Sequence, residues 1–168
     1  IETPLTGTLE LTDETINSVE TLSSNVHVFT SFRDTVGNRV FVGHTAPTGT
    51  DVSSTYDVTA SYPYVAKYNN AGSLDWQYTY QGAFGAIHSV VEAGQRYFAG
   101  GVYRDGATNK GFLLCISKAG EIQWQKTIGN TSEIVDIATD GDFIYAVGDH
   151  TTAGMSAIKL NVAGIEQW

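Results

Sequence analysis

The sequence predicts an all-β fold in which a unit of four short strands recurs about three times along the chain. The first observation is that variants of one segment, Ala-Gly-x-x-x-Trp, occur at residues 71–76, 119–124 and 163–168. The second is that the segments between them are short, rich in Val, Ile and aromatic residues, and partly alternating, as strands are. The third is that no stretch keeps a helical period, so we predict essentially no helix.

The repeat itself indicates an array. The tryptophans recur about every 45 residues, and a fixed period in this range is typical of propellers and solenoids. Their recurrence at one position of every unit favours rings packed between neighbouring units over a stacking platform for a sugar or a quinone. The structural repeat positions are therefore Trp76, Trp124, Trp168, Gly72, Gly120 and Gly164.

The chain divides into an edge segment and three units. Residues 1–25 are the least regular part and are predicted to hold short strands. The first unit is residues 26–80, with an inserted loop at 46–63 that contains Pro, Gly, Ser and Thr. The second unit is residues 81–128. The third, residues 129–168, is truncated at its last strand.

The first unit opens with a strand, a turn and a strand. Residues 26–32 and 39–45 form the strands, and Gly37 and Asn38 supply the positive backbone dihedral angles that the turn needs. A second register pairs residues 16–34 as the first two strands and makes residues 35–63 an inserted hairpin. The first register is preferred because its turn chemistry matches Asp140-Gly141 in the third unit.

The strands of the later units follow the same order. In the first unit, residues 64–68 and 73–80 complete the set of four. The second and third units are predicted to have strands at 87–91, 96–103, 112–116, 121–128, 134–138, 143–147, 156–160 and 165–168.

Composition excludes several classes of protein. The 168 residues include 9 basic and 18 acidic side chains, a formal charge of −9, which argues against nucleic acid as a partner. No apolar run is long enough to span a membrane, so no membrane insertion is expected, and no signal peptide is recognisable. Because the first residue is Ile, we expect a processed chain or an excerpt of a longer one.

Residues with chemical potential are few. Cys115 is the single cysteine and is predicted to be a buried thiol. His27, His44, His88 and His150 fall at different repeat positions without ligand spacing, so solvent-facing or locally hydrogen-bonded imidazoles are expected and no metal site. Asp140, Asp142 and Asp149 lie close together, as in calcium loops, but Asp-Gly is first a turn dipeptide. Calcium is the one cofactor left open; otherwise none is expected.

The pattern resembles the bacterial and phage β-propeller repeat family labelled SBBP, and is similar to PQQ-like and delta-60 propeller repeats. The resemblance covers residues 26–168 and implies fold more than function. The residues that carry it are Asp34, Gly37, Asn38, 40–45, 65–76, Asp140, Gly141, 145–148, 157–161 and 163–168.

The resemblance implies a propeller-type array of about three four-stranded blades. Three blades are too few to close a ring, so a larger propeller, other chains or a cap formed by the amino-terminal strands must cover the ends. The first strand of a propeller blade lines the central channel, which makes Ser18, Ser89 and Asp136 candidates for a polar channel wall. Tyr56, Tyr62 and Tyr64, in or beside the inserted loop, are candidates for binding a glycan or a protein.

No motif for a nucleophile, a phosphate loop or paired carboxylates is present, which favours a non-catalytic role. We expect a structural or interaction module of an extracellular, cell-surface or virion protein, such as an adhesin, a phage tail appendage or a tail fibre. Its partners would be other chains, further blades of the same protein, or a cell-surface glycan. The alternative is a fragment of a PQQ-type or other propeller enzyme.

Overall fold

The computed structural model describes residues 26–46, 59–80, 84–152 and 154–168, together with two short strands at 8–9 and 20–21. The described residues form β-strands joined by turns and contain no helix, which confirms the all-β prediction. None of them therefore belongs to a helix that could cross a membrane. Most of the amino-terminal segment and most of the inserted loop at 46–63 lie outside this part of the chain.

Three antiparallel sheets contain the main strands. In each of them, strands that are consecutive in sequence are neighbours in the sheet. Strands β1 (Thr8–Leu9) and β2 (Glu20–Thr21) pair separately. Sheet I contains β3 (Val26–Arg33), β4 (Arg39–Thr45), β5 (Tyr62–Tyr68) and β6 (Leu74–Thr79). Sheet II contains β7 (Gly85–Ala93), β8 (Arg96–Asp105), β9 (Thr108–Ser117) and β10 (Ile122–Thr127). Sheet III contains β11 (Thr131–Thr139), β12 (Phe143–His150) and β13 (Met155–Asn161).

A fourth segment continues sheet III beyond β13. Leu160 and Glu166 form an antiparallel bridge. The amide of Lys159 donates to the carbonyl of Trp168 at 2.9 Å, and the amide of Gln167 donates to the carbonyl of Lys159 at 2.8 Å. Residues 166–168 therefore lie beside β13 as β10 lies beside β9.

The turn between β3 and β4 is organised by Asp34. Its carboxylate accepts hydrogen bonds from the backbone amides of Val36 at 3.0 Å and Asn38 at 2.8 Å. Gly37 has the expected positive φ, at 93°, but Asn38 does not, which corrects the prediction for that residue. The side-chain amide of Asn38 instead donates to the carboxylate of Asp34 at 2.9 Å, so Asn38 stabilises the turn by hydrogen bonding.

Sheet II lies between the other two and is buried on both faces. Because side chains alternate along a strand, Tyr97 and Ala99 join the core shared with sheet I, whereas Phe98 joins the core shared with sheet III. Cys115 is fully buried on the side of sheet III, which confirms the prediction for this thiol.

Each sheet has a β-bulge in its first strand opposite a glycine in its second. The extra residues are Phe29, His88 and Val135, where the pairing register shifts by one residue. A Cβ atom on the facing glycine would lie 1.8 to 2.0 Å from a carbonyl oxygen of the first strand, a distance that no side chain can occupy. Gly43, Gly101 and Gly148 therefore occupy equivalent places, and they fix the alignment of the three sheets.

Candidate functional site

The repeated tryptophans contact the neighbouring sheet. The indole Nε1 of Trp76, in sheet I, donates to the carbonyl of Lys118 in sheet II at 3.2 Å. The indole of Trp124, in sheet II, donates in the same way to the carbonyl of Val162 beyond β13 at 3.3 Å. Trp168, by contrast, is 62% exposed.

The repeated glycines make room for these rings. A Cβ atom on Gly120 would lie 2.8 Å from the ring of Trp76, and one on Gly164 would lie 3.0 Å from the ring of Trp124. Both glycines also have a positive φ, of 95° and 82°, as does Gly72 with 80°. Each Ala-Gly-x-x-x-Trp segment can therefore supply two parts of this contact. Its glycine turn receives the indole of the preceding sheet, and its own tryptophan reaches the turn of the following sheet.

An aromatic cleft of about 370 Å³ opens between sheets I and II. Sheet I contributes Pro63 and the chain just after β6, while sheet II contributes three of its strands. The cleft is lined by Pro63, Tyr80, Tyr103, Phe112, Gln125, Lys126 and Thr127.

The polar groups of the cleft sit at the edges of its rings. The hydroxyl groups of Tyr103 and Thr127 lie 2.9 Å apart, and the hydroxyl of Tyr80 donates to Oε1 of Gln125. The ring of Phe112 meets that of Tyr103 edge-on, with centroids 6.0 Å apart. An arrangement of aromatic faces with amide and hydroxyl groups at the rim can stack on an apolar surface and hydrogen-bond to polar groups around it.

The predicted binding tyrosines are placed differently from one another. Tyr62 stacks on Phe84, with ring centroids 5.1 Å apart. Tyr64 is only 3% exposed; burial raises its pKa, and its hydroxyl donates to Gln77 at 3.0 Å. Tyr56 lies outside the described residues.

Sequence patterns alone do not single out Tyr80 and Tyr103 as residues of one cleft. Tyr80 stands just after β6 and Tyr103 near the end of β8, in different units and 23 positions apart. The signal that could have identified them is that both are aromatic residues at strand ends, where neighbouring sheets leave a gap.

The structure brings together Ser89 and Asp136, two of the predicted channel residues. The hydroxyl of Ser89 donates to Oδ1 of Asp136 at 2.7 Å, across the boundary between sheets II and III. The same carboxylate accepts the amide of Ile137 at 2.9 Å. Ser89 is only 7% exposed, so its hydroxyl lies inside the boundary between the two sheets. Ser18 lies outside the described part of the chain.

Three of the four histidines form a row with Phe29 across strands β3, β4 and β7. His27 Nδ1 and His44 Nε2 lie 3.1 Å apart, so one imidazole donates to the other. The ring of Phe29 packs at 5.2 Å from that of His44 and stacks at 5.0 Å on that of His88. His88 Nε2 lies 2.8 Å from Glu133 Oε1 in sheet III. We call His27, Phe29, His44, His88 and Glu133 the histidine row.

This row corrects the expectation that the histidines face solvent or bond only locally. His44 is 1% exposed, and burial, together with the charges of His27 and His88, lowers its pKa to about 4. The row could not be predicted from the sequence because its members come from β3, β4, β7 and β11. The bulges that align Phe29 with His88 are visible only in the strand pairing. His150 does bond locally, with its Nδ1 3.0 Å from the hydroxyl of Thr152.

Of the three aspartates around Gly141, Asp140 holds its own turn through its carboxylate. Asp140 accepts hydrogen bonds from the amide of Phe143 at 2.8 Å and from the hydroxyl of Tyr145 at 2.8 Å, and these bonds lower its pKa. Within the described residues, no three His, Cys, Asp or Glu side chains are grouped so as to hold a metal ion.

Comparisons with known proteins leave the interpretation to this geometry. No protein-family model matches the chain, and no curated protein sequence matches it either. Within the described residues, the aromatic cleft and the histidine row are two places at which side chains of sheets I and II come together.

Proposed function

We propose that the chain is a non-catalytic interaction module of a β-propeller-type array, and that it binds a carbohydrate in the aromatic cleft between sheets I and II. The observation that carries this proposal is the lining of the cleft. Tyr80 and Tyr103 provide aromatic surface, while Gln125 and Thr127 provide hydrogen-bonding groups beside it.

The array part of the proposal is supported by the repetition of one contact. Both pairs of neighbouring sheets are joined by a tryptophan that donates to the turn of the next sheet and lies against its glycine. In addition, each sheet is built from strands in sequential order, as in the blades of a propeller. Three such sheets are fewer than a closed propeller uses, so further blades or other chains would complete the ring.

The carbohydrate part is supported by the size and chemistry of the cleft. Its volume of about 370 Å³ falls within the range of roughly 300 to 1,000 Å³ that is usual for small-molecule sites. Sugar rings present C–H groups that pack on aromatic faces and hydroxyl groups that need hydrogen-bond partners. Tyr80 offers an aromatic face, and Gln125 offers a hydrogen-bonding amide. The net charge of −9 favours solubility and suits a module exposed on a cell or virion surface.

The non-catalytic part is supported by the state of the potential nucleophiles. Ser89 is buried between sheets II and III, where its hydroxyl donates a hydrogen bond to Asp136. Cys115 is fully buried, and burial raises its pKa to about 11, so the thiolate is disfavoured.

The test is a screen of saccharides by glycan array, followed by titration calorimetry of the best ligand. Tyr80→Ala should weaken its binding about tenfold, because the variant removes one stacking surface. Tyr145→Ala, at a partly exposed tyrosine of sheet III, is the matched control and should leave the affinity unchanged. Gln125→Ala and Gln123→Ala form a second pair, since Gln125 lines the cleft and Gln123 does not.

Two results would contradict the proposal. One is that no saccharide binds at millimolar concentration to the folded chain. The other is that Tyr80→Ala and Tyr145→Ala weaken binding equally while thermal unfolding shows both variants to be folded. Binding of a protein ligand that depends on Tyr80 would keep the cleft but replace carbohydrate as its occupant.

A further inference from the structure

The outward face of sheet III repeats the face that sheet I turns towards sheet II. The equivalent glycines Gly43 and Gly148 set the alignment. In this alignment Val42 of sheet I corresponds to Val147 of sheet III, Lys67 to Lys159, and Trp76 to Trp168. We call Val147, Lys159 and Trp168, with the bulge residue Val135, the open face.

The residues of sheet I that are equivalent to the open face have a defined partner in sheet II. Lys67 Nζ donates to the carbonyl of Lys118 at 3.1 Å, and Trp76 Nε1 donates to the same oxygen at 3.2 Å. That carbonyl belongs to the turn of sheet II, two residues before Gly120. Lys67 is only 8% exposed in this contact, and Asp75 lies 2.9 Å from its amine.

The contact between sheets II and III has the same geometry, but an arginine from another strand takes the place of the lysine. Trp124 Nε1 and Arg96 Nη1 both donate to the carbonyl of Val162, at 3.3 and 3.2 Å. Val162 again stands two residues before a turn glycine, Gly164. Cys115 occupies the position of Lys67 in sheet II, and Arg96 supplies the cation from the neighbouring strand.

On sheet III the same groups are present but exposed. Trp168 is 62% exposed, Val135 51% and Val147 38%. The amine of Lys159 lies over the ring of Phe143, 3.9 Å from its centroid, where a cation–π contact holds it beside the open face.

We propose that the open face is a docking surface for one further antiparallel sheet of the same kind, a fourth repeat unit. A carbonyl in the turn of that sheet accepts hydrogen bonds from Lys159 and Trp168, and the turn glycine lies against the indole of Trp168. This inference rests on the array part of the proposed function and specifies its partner and contact residues.

A second copy of the chain does not offer the required surface. The face of sheet I that would receive the open face is already buried, since Phe41 and Ala66 are fully buried and Tyr64 is 3% exposed. Both faces of sheet II are buried as well. The occupant is therefore a further sheet of the same kind, and not one of the three described sheets of a second copy.

The test is a fusion in which a copy of residues 77–128 follows Trp168 of the full chain. These residues contain sheet II, which packs on the Lys67 and Trp76 face in the chain itself, and the junction lets Trp168 take the place of Trp76 in its strand. Hydroxyl-radical footprinting with mass spectrometry measures the oxidation rate of each tryptophan. The rate at Trp168 should fall severalfold, to that of Trp76 and Trp124.

Two companion fusions keep the result decisive. One carries Gly120→Val in the appended copy and should restore rapid oxidation of Trp168, because a side chain there would meet the indole. The other appends a copy of residues 125–168, in case the first unit does not fold. Failure of both unmodified units to slow the oxidation would overturn the proposal.

Self-association would also overturn it. If Trp168 is protected in the unfused chain and sedimentation gives the mass of a dimer, a second copy is the occupant. Saccharide binding in the cleft is measured separately. If no saccharide binds, the oxidation rate of Trp168 still tests whether a further sheet covers the open face.

Discussion

The two boundaries between sheets share the contact of an indole and a cation with a turn, and they differ in the side chains around it. At both, an indole lies against a turn glycine. The boundary between sheets II and III has an apolar core beside the hydrogen bond of Ser89 to Asp136. Gly100 allows a close approach there, since a Cβ at this position would lie 2.6 Å from Ile134. The boundary between sheets I and II adds polar contacts, the aromatic cleft and most of the histidine row.

The polar contacts between sheets I and II start from the turn after β3. Tyr97 donates from sheet II to Oδ2 of Asp34 at 2.6 Å. The amide and hydroxyl of Thr35 donate to the carboxylate of Glu92, at 2.8 and 2.7 Å, and Lys118 forms an ion pair with the same carboxylate. At the equivalent of Tyr97, sheet III has the apolar Ile144.

This difference shows what the repeat does and does not specify. The shared indole and glycine set how one sheet stacks on the next, and the same contact occurs at both boundaries. The groups that can bind a ligand or take up protons lie where the sheets differ. Substitutions can separate the shared contact from the contacts found at one boundary only.

The largest effect is expected at the shared contact. Trp76→Ala and Trp124→Ala should each lower the free energy of unfolding by about 3 kcal/mol, the low end for truncated aromatic residues, because both rings are only partly buried. Trp168→Ala should change it by less than about 0.5 kcal/mol, as for other exposed residues. Urea unfolding followed by circular dichroism measures all three. Equal losses for Trp76 and Trp168 would show that the indole does not join the sheets.

An intermediate effect is expected from the histidine row as the pH falls. The pKa of His44 is lowered from 6.5 to about 4, so the unfolded chain binds more protons than the folded chain in this window. Stability is therefore complete above pH 6.5 and declines towards pH 4, by roughly 2 kcal/mol between pH 6.5 and 5 for this one group. His27, His88 and Glu133 are the other ionisable side chains of the same row.

The measurement is the urea midpoint as a function of pH. His44→Gln should flatten the dependence between pH 6.5 and 5, because the amide keeps a hydrogen-bonding group beside His27 but does not titrate. His150→Gln, at a histidine outside the row, is the control and should leave the dependence unchanged. An equally steep profile in His44→Gln would assign the proton uptake to other groups.

The smallest effect is expected at the polar contact between sheets I and II. Tyr97→Phe should cost about 1.5 kcal/mol at neutral pH, because it removes a buried hydrogen bond to a charged group. Burial acts to raise the pKa of Asp34, but hydrogen bonds from Tyr97 and Asn38 outweigh it and the pKa is lowered from 3.8.

The sign of its pH dependence follows from that shift. A lowered carboxyl pKa gives stability that is present above pH 3.8 and is lost as the pH falls further. The difference between the wild-type chain and Tyr97→Phe, measured by thermal unfolding, should therefore shrink below pH 3.8. A difference that stays constant down to pH 2 would mean that the hydroxyl contributes by packing alone.

The fold class was readable from the sequence because strand signals are local. Alternation of side chains, glycine turns such as Gly37 and the three Ala-Gly-x-x-x-Trp segments are each complete within a few residues. The Ser89 and Asp136 pair is predictable in part, since the sequence assigns both residues to the first strands of their units. Their hydrogen bond depends on how sheets II and III meet.

The sequence by itself therefore determined that this chain forms repeated antiparallel sheets and which residues mark each repeat. Only the tertiary structure decided that His27, His44 and His88 form a row, that Tyr80 and Tyr103 share a cleft, and that the Lys159 and Trp168 pair repeats that of Lys67 and Trp76. The physical reason is that a strand depends on its own period and turns, whereas these groupings depend on bulges and on the alignment of one sheet with the next. A single extra residue in a strand changes which side chains meet, and the chain order alone does not show it.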